Sequence, residues 1–572
     1  MQHDLVIRNA TIIDGSGGAH IDGDVAVANG VITHVGGCCA TSGLEEYDAA
    51  GAVVAPGFID PHTHLDANLF WDPDLTPSSS FGVTTIVAAN CGYALGPLGD
   101  KAAQEYVVRA MSTVEQIPEA AIVDSVPFNW NSLTSYFDAL DALPVLLNHG
   151  HLVGHVPIRA AILGVPAVYK RQATPGEIEA MAAILREGLQ LGALGFSTDQ
   201  VVDNPGPGGT SLPGQICGEE ELLAMAGVLA EGPGPGLFTM ANAAMLQGRS
   251  EQATDLAWHQ ALARRSGRPV VVGPVLDPAD DPGAAVALLD LVLKHREPGV
   301  MVIPQVSTRP FELWSRLDSP GVIVRCLPSL SKALKSGGAE AIRTLANDPQ
   351  ARIQLRKEGA RIRPNPVFSG RWEHVCVRYT QQDGDWSQSV GDIARQRGID
   401  PTDLLLDLAL ADNFETQFAL MMRNADDEQL GKMVTHPAAM IGASDAGAHI
   451  LSNTDSCYAV WTLQHWVRDR GLLSLEKAIE MLTWSQAQIL GLTDRGRVQL
   501  GMAGDLVVFD PDSVGTTGVR FVDDQPNGGR RLITDATGIA LSVVNGVVAT
   551  RDGVSTGTRS GRRLRPSSRV VA

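Results

Sequence analysis

The chain has 572 residues, 44% of them hydrophobic and 19% charged, with 44 basic against 64 acidic side chains and a net charge of -20. Such an acid surplus excludes nucleic acid and anionic membrane surfaces as partners, because phosphate recognition needs clustered Lys and Arg. The length exceeds what one simple core fills, so more than one domain or one enlarged barrel is expected.

The seven cysteines are scattered, without a CxxC pair, and read as reduced thiols of a cytoplasmic protein. The opening Met1-Gln2-His3-Asp4-Leu5 shows no basic segment leading into an apolar one. No apolar run approaches the ~20 residues that span a bilayer. The five arginines within residues 559–569 read as a solvated tail.

Residues 5–7, 11–13, 24–27, 31–33 and 52–54 read as short strands of a small all-β unit, separated by turns such as Asn29-Gly30. From residue 55 the pattern changes to apolar strands alternating with helical segments. The strands are expected at 55–62, 82–89, 143–148, 192–197, 236–240, 269–275, 299–306 and 439–444. Helical patterns cover 174–191, 219–230, 251–266, 283–296 and 475–490; in the first, Thr174 is the expected N-cap, with Pro175 at N1 and Glu177 at N3. Eight strand–helix alternations predict a (β/α)8 TIM barrel over 56–489, with an insertion at about 311–436 before the last strand. Past residue 490 strands return, with a hairpin turn at Asn545-Gly546. The segments 1–55 and 490–572 are therefore expected to form one β-sandwich domain from both chain ends.

The chemistry starts at Phe58-Ile59-Asp60-Pro61-His62-Thr63-His64. Residues i and i+2 of a strand face the same way, so His62 and His64 project together from the end of an apolar strand. Two neutral imidazoles aimed at one point make half of a metal site; the bland alternative is a surface pair. The end of a barrel strand favours the metal reading. His149, His151, His155 and His449 are assigned to the same barrel mouth, as ligands, oxyanion donors or pocket groups, and Arg159 as the partner of a substrate anion or of a nearby acid.

Longer motifs now make the sequence recognisable. Gly57-Phe58-Ile59-Asp60-Pro61-His62-Thr63-His64, Gly82-Val83-Thr84-Thr85 leading to Asn90-Cys91-Gly92, Gly154-His155-Val156-Pro157-Ile158-Arg159, Gly192-Ala193-Leu194-Gly195-Phe196-Ser197, Ala443-Ser444-Asp445 and Ala503-Gly504-Asp505-Leu506-Val507-Val508 keep one order along nearly the whole chain. In these the chain resembles the amidohydrolase superfamily and, within it, the D-aminoacylase (N-acyl-D-amino-acid deacylase) family. The resemblance implies a metal site built from His62, His64, Cys91 and Asp445, together with histidines after strands five and six. This chain lacks those two: the segments read Phe238-Thr239-Met240-Ala241-Asn242 and Val272-Gly273-Pro274-Val275. The family's Tyr-Pro-Tyr after strand seven reads Ile303-Pro304-Gln305, and residues 446–453 hold no arginine for a substrate carboxylate.

The expected function is thus a metal-dependent amidohydrolase acting on a linear amide, with one zinc ion and Asp445 as general base. Two alternatives stand beside it: a hydrolase of a cyclic amide or another N-acyl metabolite, and a metal-free binding descendant. The expected partner is a small-molecule amide, with homo-oligomerisation left open.

Overall fold

The structure, a computed structural model, describes residues 2–201, 206–231, 236–242, 252–319, 321–362, 370–386 and 388–566. Residue 251, where one predicted helix begins, and Arg569 of the tail lie outside them.

Eight parallel strands follow one another around a barrel in chain order: Phe58–Asp60, Val83–Ala88, Asn148–Gly154, Gly195–Gln200, Leu237–Asn242, Val270–Val275, Val302–Val306 and Met440–Ile441. The ring closes where Thr63 bridges to Ala446 and the His64 N–H donates to the Ala446 carbonyl at 2.7 Å. That seam sits between the histidine pair and Asp445. Alternation along the strands sorts the side chains into two layers. Ile59, Val87, Leu152, Leu194, Leu237, Val271 and Met440 pack with one another. Ile86, Val153, Phe196, Phe238 and Val272 pack with the surrounding helices. Among those helices, Pro175–Gln190 carries the expected start: Thr174 and Glu177 form a reciprocal capping box.

Several strand boundaries differ from expectation, strand four among them at Gly195–Gln200 rather than 192–197, and two of the differences bear on the site. The segment 55–62 is two elements: Val53–Pro56 joins the terminal sheet, and the barrel strand begins at Phe58. The chain crosses over at Gly57, where an added Cβ would lie 2.2 Å from the Thr84 side chain. The third strand is Asn148–Gly154 rather than 143–148. The apolar run Val145-Leu146-Leu147 is buried, but it is the approach to the strand; pairing begins at Asn148 opposite Thr85.

The chain ends build one nine-stranded sheet, in which Leu506–Phe509 pairs with Val53–Pro56, and Val53–Pro56 with His3–Ile12. Leu5, Ile7, Val25, Val54, Leu506, Leu541 and Val543 enclose its core. A buried ion pair fastens this sheet to the barrel. Arg495 donates to Asp505, and Asp505 also accepts from the Asn148 side chain at 3.0 Å and the Asn545 N–H at 2.6 Å. Arg495 and Asp505 are almost fully buried, so removing one partner strands a charge. Arg495→Ala is expected to cost about 3–5 kcal/mol, measured as a lower midpoint of chemical unfolding.

The arginine-rich tail is solvated only in part: Arg559, Arg562 and Arg565 are exposed, as expected, whereas Arg563 is buried. The Arg562 carbonyl accepts from the His149 N–H at 3.0 Å, Arg563 pairs with Asp141, and Leu564 joins the inner barrel cluster. The tail is held because the first residues of strand three leave backbone groups that it pairs with.

Between strands seven and eight, Phe311–Ser315, Gln417–Arg423 and Val375–Tyr379 form an antiparallel sheet. Together with helices such as Pro349–Gly359 and Pro401–Ala411 it encloses its own core, including Leu313, Leu330, Leu355, Leu405 and Phe418. The unit docks on the barrel mouth. The Asn424 N–H donates to the Asp277 carbonyl at 2.8 Å, its side chain donates to the Arg309 carbonyl at 3.0 Å, and the Trp314 N–H donates to the Ser452 carbonyl at 3.1 Å. No helix among the described residues is long and apolar enough to cross a membrane.

Candidate metal centre and active site

Just past strand one, His62 and His64 point the same way, their ring centroids 5.6 Å apart. The His62 ring is oriented from behind: its Nδ1 meets the Gln305 Oε1 at 2.8 Å, and the Gln305 amide donates to the Gly442 carbonyl at 3.3 Å. With Nδ1 as the donor, the lone pair stays on Nε2, which faces the cluster. Gln305, which stands where the resembled family has tyrosine, therefore positions a histidine.

Cys91 lies in the tight turn Asn90–Gly92 after strand two. Three neighbours hold that turn. The Asn90 side chain donates to the Val87 carbonyl at 3.0 Å, the Gly92 N–H donates to the Ser197 hydroxyl at 3.1 Å, and that hydroxyl donates to the Ala89 carbonyl. The Cys91 thiol consequently sits 3.4 Å from His62 Nε2. Asp445 follows strand eight at the barrel seam, its Oδ1 3.3 Å from His62 Nε2 and 3.6 Å from His64 Nε2. Cys91, Asp445 and His449 all have positive φ, of 51°, 49° and 50°, in the left-handed region that non-glycine residues enter at a cost of order 1–3 kcal/mol. Ser444 braces the seam; its hydroxyl donates to Asp60, 2.9 and 2.7 Å from the two carboxylate oxygens, and lies 2.9 Å from the His62 carbonyl.

The donor set fits one divalent ion. The ligand atoms of His62, His64 and Cys91 lie within 4.8 Å of one another. Donors bound tetrahedrally at about 2.0–2.3 Å to a shared zinc lie about 3.3–3.6 Å apart, the spacing observed for Cys91–His62, His62–Asp445 and His64–Asp445. Both ring nitrogens of the buried His64 lack a hydrogen-bond partner among the described residues.

Charge points the same way. Burial pushes the Cys91 thiol well above its ordinary value, and the Glu115, Asp445 and Asp199 carboxylates push it further. Burial lifts the Glu115 carboxyl to about 8 and that of Asp66 to about 6. Burial also lowers His62, whereas the carboxylates of Glu115 and Asp445 overcome burial at His64 and raise it to about 9. Burial opposes the charge of Asp445, yet the contact with His64 and the charges of His62 and His64 hold it well below the usual carboxylate range. A cation bound among these buried acids would stabilise their carboxylate forms.

The structure does not bring every expected residue to this point. His149 and His151 lie within strand three, not after it. They face the helix Leu133–Asp141: His151 packs against Tyr136 and Phe137, and His149 Nδ1 meets His151 Nε2 at 2.9 Å. They are therefore corrected from mouth residues to packing residues, because strand three begins later than its apolar run suggested. His155 and Arg159 are also engaged elsewhere. The His155 ring meets the Thr198 hydroxyl at 2.8 Å and Glu221 at 2.7 Å, while Arg159 donates to Glu221 at 2.9 Å and to the carbonyls of Val168 and Arg171. All three groups of the guanidinium are occupied, so Arg159 holds a loop rather than awaiting a substrate anion. His449 lies beside the centre on the loop after strand eight: its backbone N–H donates to the Glu115 carbonyl at 2.6 Å, burial lowers its imidazole, and its Nδ1 has no hydrogen-bond partner among the described residues.

His149 and His151 carry a pH prediction. Burial drives His149 down to about 3 and His151 well below its ordinary value, so both are neutral when folded. In the unfolded chain they take up protons below about 6.5. Their contribution to stability is complete above that pH and is lost as pH falls from 6.5 toward 3. Thermal unfolding followed from pH 7 to pH 4 should show this decline, and a His149→Gln/His151→Gln double variant should flatten it.

Sequence reasoning missed Glu115 and Asp199. Glu115 caps the helix Lys101–Val114, and its Oε2 lies 3.6 Å from His64 Nε2. No local spacing distinguishes it from a surface acid at a helix end.

A (β/α)8 barrel that gathers two imidazoles, a thiol and a carboxylate at the C-terminal ends of strands one, two and eight defines the class of metal-dependent barrel hydrolases. Comparison narrows the class. The sequence profile of the amidohydrolase family matches residues 45–309 and 369–549, and the chain belongs to that family. The unmatched residues 310–368 fall within the insertion. The chain is 28% identical to the N-acyl-D-aspartate deacylase of Alcaligenes xylosoxydans xylosoxydans, covering 90% of this chain and 87% of the relative. It is 27% identical to the D-aminoacylase of the same organism, covering 98% and 97%. Among solved structures, a D-aminoacylase with a binuclear metal centre, activated by one metal and attenuated by a second, superposes with a TM-score of 0.67 at 26% identity, covering 98% of this chain and 100% of that one. The N-acyl-D-glutamate deacylase of Bordetella bronchiseptica, complexed with zinc and a phosphonate mimic of the tetrahedral intermediate, superposes at 0.66 with 25% identity, covering 99% and 100%.

Proposed function

We propose that this protein is a metal-dependent amidohydrolase that cleaves a linear amide bond, of the N-acyl-D-amino-acid deacylase kind, with one zinc ion per chain held by His62, His64, Cys91 and Asp445. The observation that carries the reading is the convergence of His62, His64 and Cys91 donor atoms within 4.8 Å, with Asp445 3.3 Å from His62. Similarity to the aspartate and glutamate deacylases supports the reaction. A single ion is favoured because strands five and six offer only Thr239, Met240, Val272 and Gly273 where further imidazoles would be needed.

Bound there, zinc polarises an amide carbonyl or lowers the pKa of water from ~15.7 to about 7. The protein's own groups do the rest. Asp445 faces the site 3.3 Å from His62 and is assigned to accept a proton from the attacking water. The same carboxyl would then return the proton to the leaving nitrogen. The neutral His449, with an unsatisfied Nδ1, is assigned to the negative charge that develops on the carbonyl oxygen. Arg309 after strand seven is ion-paired with Asp455 at 3.1 Å and stacked on Trp461, so it is no free partner for a substrate carboxylate.

The test combines metal analysis with a substrate panel: N-acetyl amino acids of both hands, N-acyl amines without a carboxylate, and cyclic amides. About one zinc per chain and turnover of N-acyl-D-amino acids is the expected result. Turnover confined to cyclic amides would replace the linear reading. Absence of both metal and turnover would leave a binding protein.

A further inference from the structure

We infer that Glu115 is a ligand of the metal centre, taking over part of the role of the histidines that strands five and six lack. The inference rests on the metal-dependent reading above and adds a residue to it. Glu115 comes from a different element than every other donor, the end of the helix that follows strand two. It is 3% exposed, and among the described residues its carboxylate meets no lysine or arginine; its one charged contact is His64 Nε2 at 3.6 Å. The same nitrogen faces Asp445 Oδ1, also at 3.6 Å. Two carboxylates thus flank one buried imidazole nitrogen that hydrogen-bonds to neither.

A purely structural Glu115 would be expected to satisfy that nitrogen at about 2.7–3.2 Å. Instead the pair stands 3.6 Å apart, the separation of two donors sharing an ion; toward the His62–His64–Cys91 group Glu115 approaches through His64, so ligation draws its carboxylate inward. The Glu115 backbone is also pinned. The His449 N–H donates to the Glu115 carbonyl at 2.6 Å, and the Glu115 N–H donates to the Met111 carbonyl at 2.9 Å. The loop after strand eight thereby holds both Asp445 and Glu115 against His64.

Counting donors gives the consequence. With His62, His64, Cys91 and Asp445 alone, a four-coordinate zinc has no open position unless Asp445 leaves. With Glu115 as the fourth protein ligand, Asp445 is released for proton transfer without emptying the coordination shell.

The experiment compares zinc retention against a competing chelator, and the absorption spectrum of the cobalt-substituted protein, for wild type, Glu115→Gln and His62→Ala. Glu115→Gln is expected to hold zinc about 10–100-fold more weakly and to change the cobalt ligand-field bands while keeping the thiolate-to-cobalt band of Cys91. Wild-type zinc affinity and an unchanged cobalt spectrum in Glu115→Gln, with metal lost in His62→Ala, would overturn the assignment of Glu115 and leave the metal centre standing. A wild-type protein that binds no metal would overturn the parent reading as well. Should Glu115→Gln not fold, Glu115→Asp keeps the charge and withdraws the oxygen by one methylene; weaker zinc retention supports the assignment, and wild-type retention rejects it.

Discussion

Asp445→Asn is expected to lower kcat by about 10²–10⁴-fold, the range for removing a positioned general base, while zinc content stays within twofold of wild type. The substitution is isosteric and keeps an oxygen toward His62 Nε2, 3.3 Å away in the native protein. What it removes is the carboxylate charge, which the contact with His64 and the charges of His62 and His64 preserve against burial. The seam should survive, because it is built from the Ala446 carbonyl and the Ser444 hydroxyl rather than from the Asp445 side chain. Steady-state kinetics alongside metal analysis makes the check. Activity near wild type would mean that another group takes the proton, and a parallel loss of zinc would make Asp445 a ligand first and a base second.

His62→Ala is expected to remove the metal, and with it about 10³-fold or more of the rate, because metal polarisation supplies several kcal/mol and each 1.36 kcal/mol is tenfold. His62 is the more informative of the two histidines to lose. Its Nε2 is close to both Cys91 and Asp445, and its other nitrogen is anchored by Gln305. Removing the ring leaves the thiol without its neighbour at 3.4 Å and Gln305 without its partner at 2.8 Å. Metal content by mass spectrometry is the primary readout, with activity second. Retention of a full zinc equivalent would place the ion elsewhere among the buried acids.

The barrel was legible because its signal is periodic. Apolar strands with helical segments between them impose parallel pairing, and a pair of histidines two residues apart at the end of a strand leaves few other places for a metal. Register was less legible. Val145-Leu146-Leu147 reads as a strand because it is apolar and buried, but burial alone does not make a ladder, and pairing starts three residues after Val145. That shift carries His149 and His151 from the mouth to the helix layer. His155 and Arg159 were misassigned for a different reason: their common partner, Glu221, lies 66 and 62 residues away in sequence.

The sequence by itself determined the fold class and the residue types available for chemistry, since both follow from local pattern: alternation in strands, helical periodicity, and the HxH and Asn-Cys-Gly motifs. Tertiary structure alone decided which of these residues meet. The closure of strand one on strand eight brings Asp445 to His62 and His64, the Ser197 hydroxyl aims the Cys91 turn, and Gln305 selects the His62 tautomer. Glu115 enters through a helix end that nothing local sets apart. The physical reason is that ligand sets and salt bridges depend on distances of 3–4 Å between groups far apart along the chain, and only the packed barrel sets those distances.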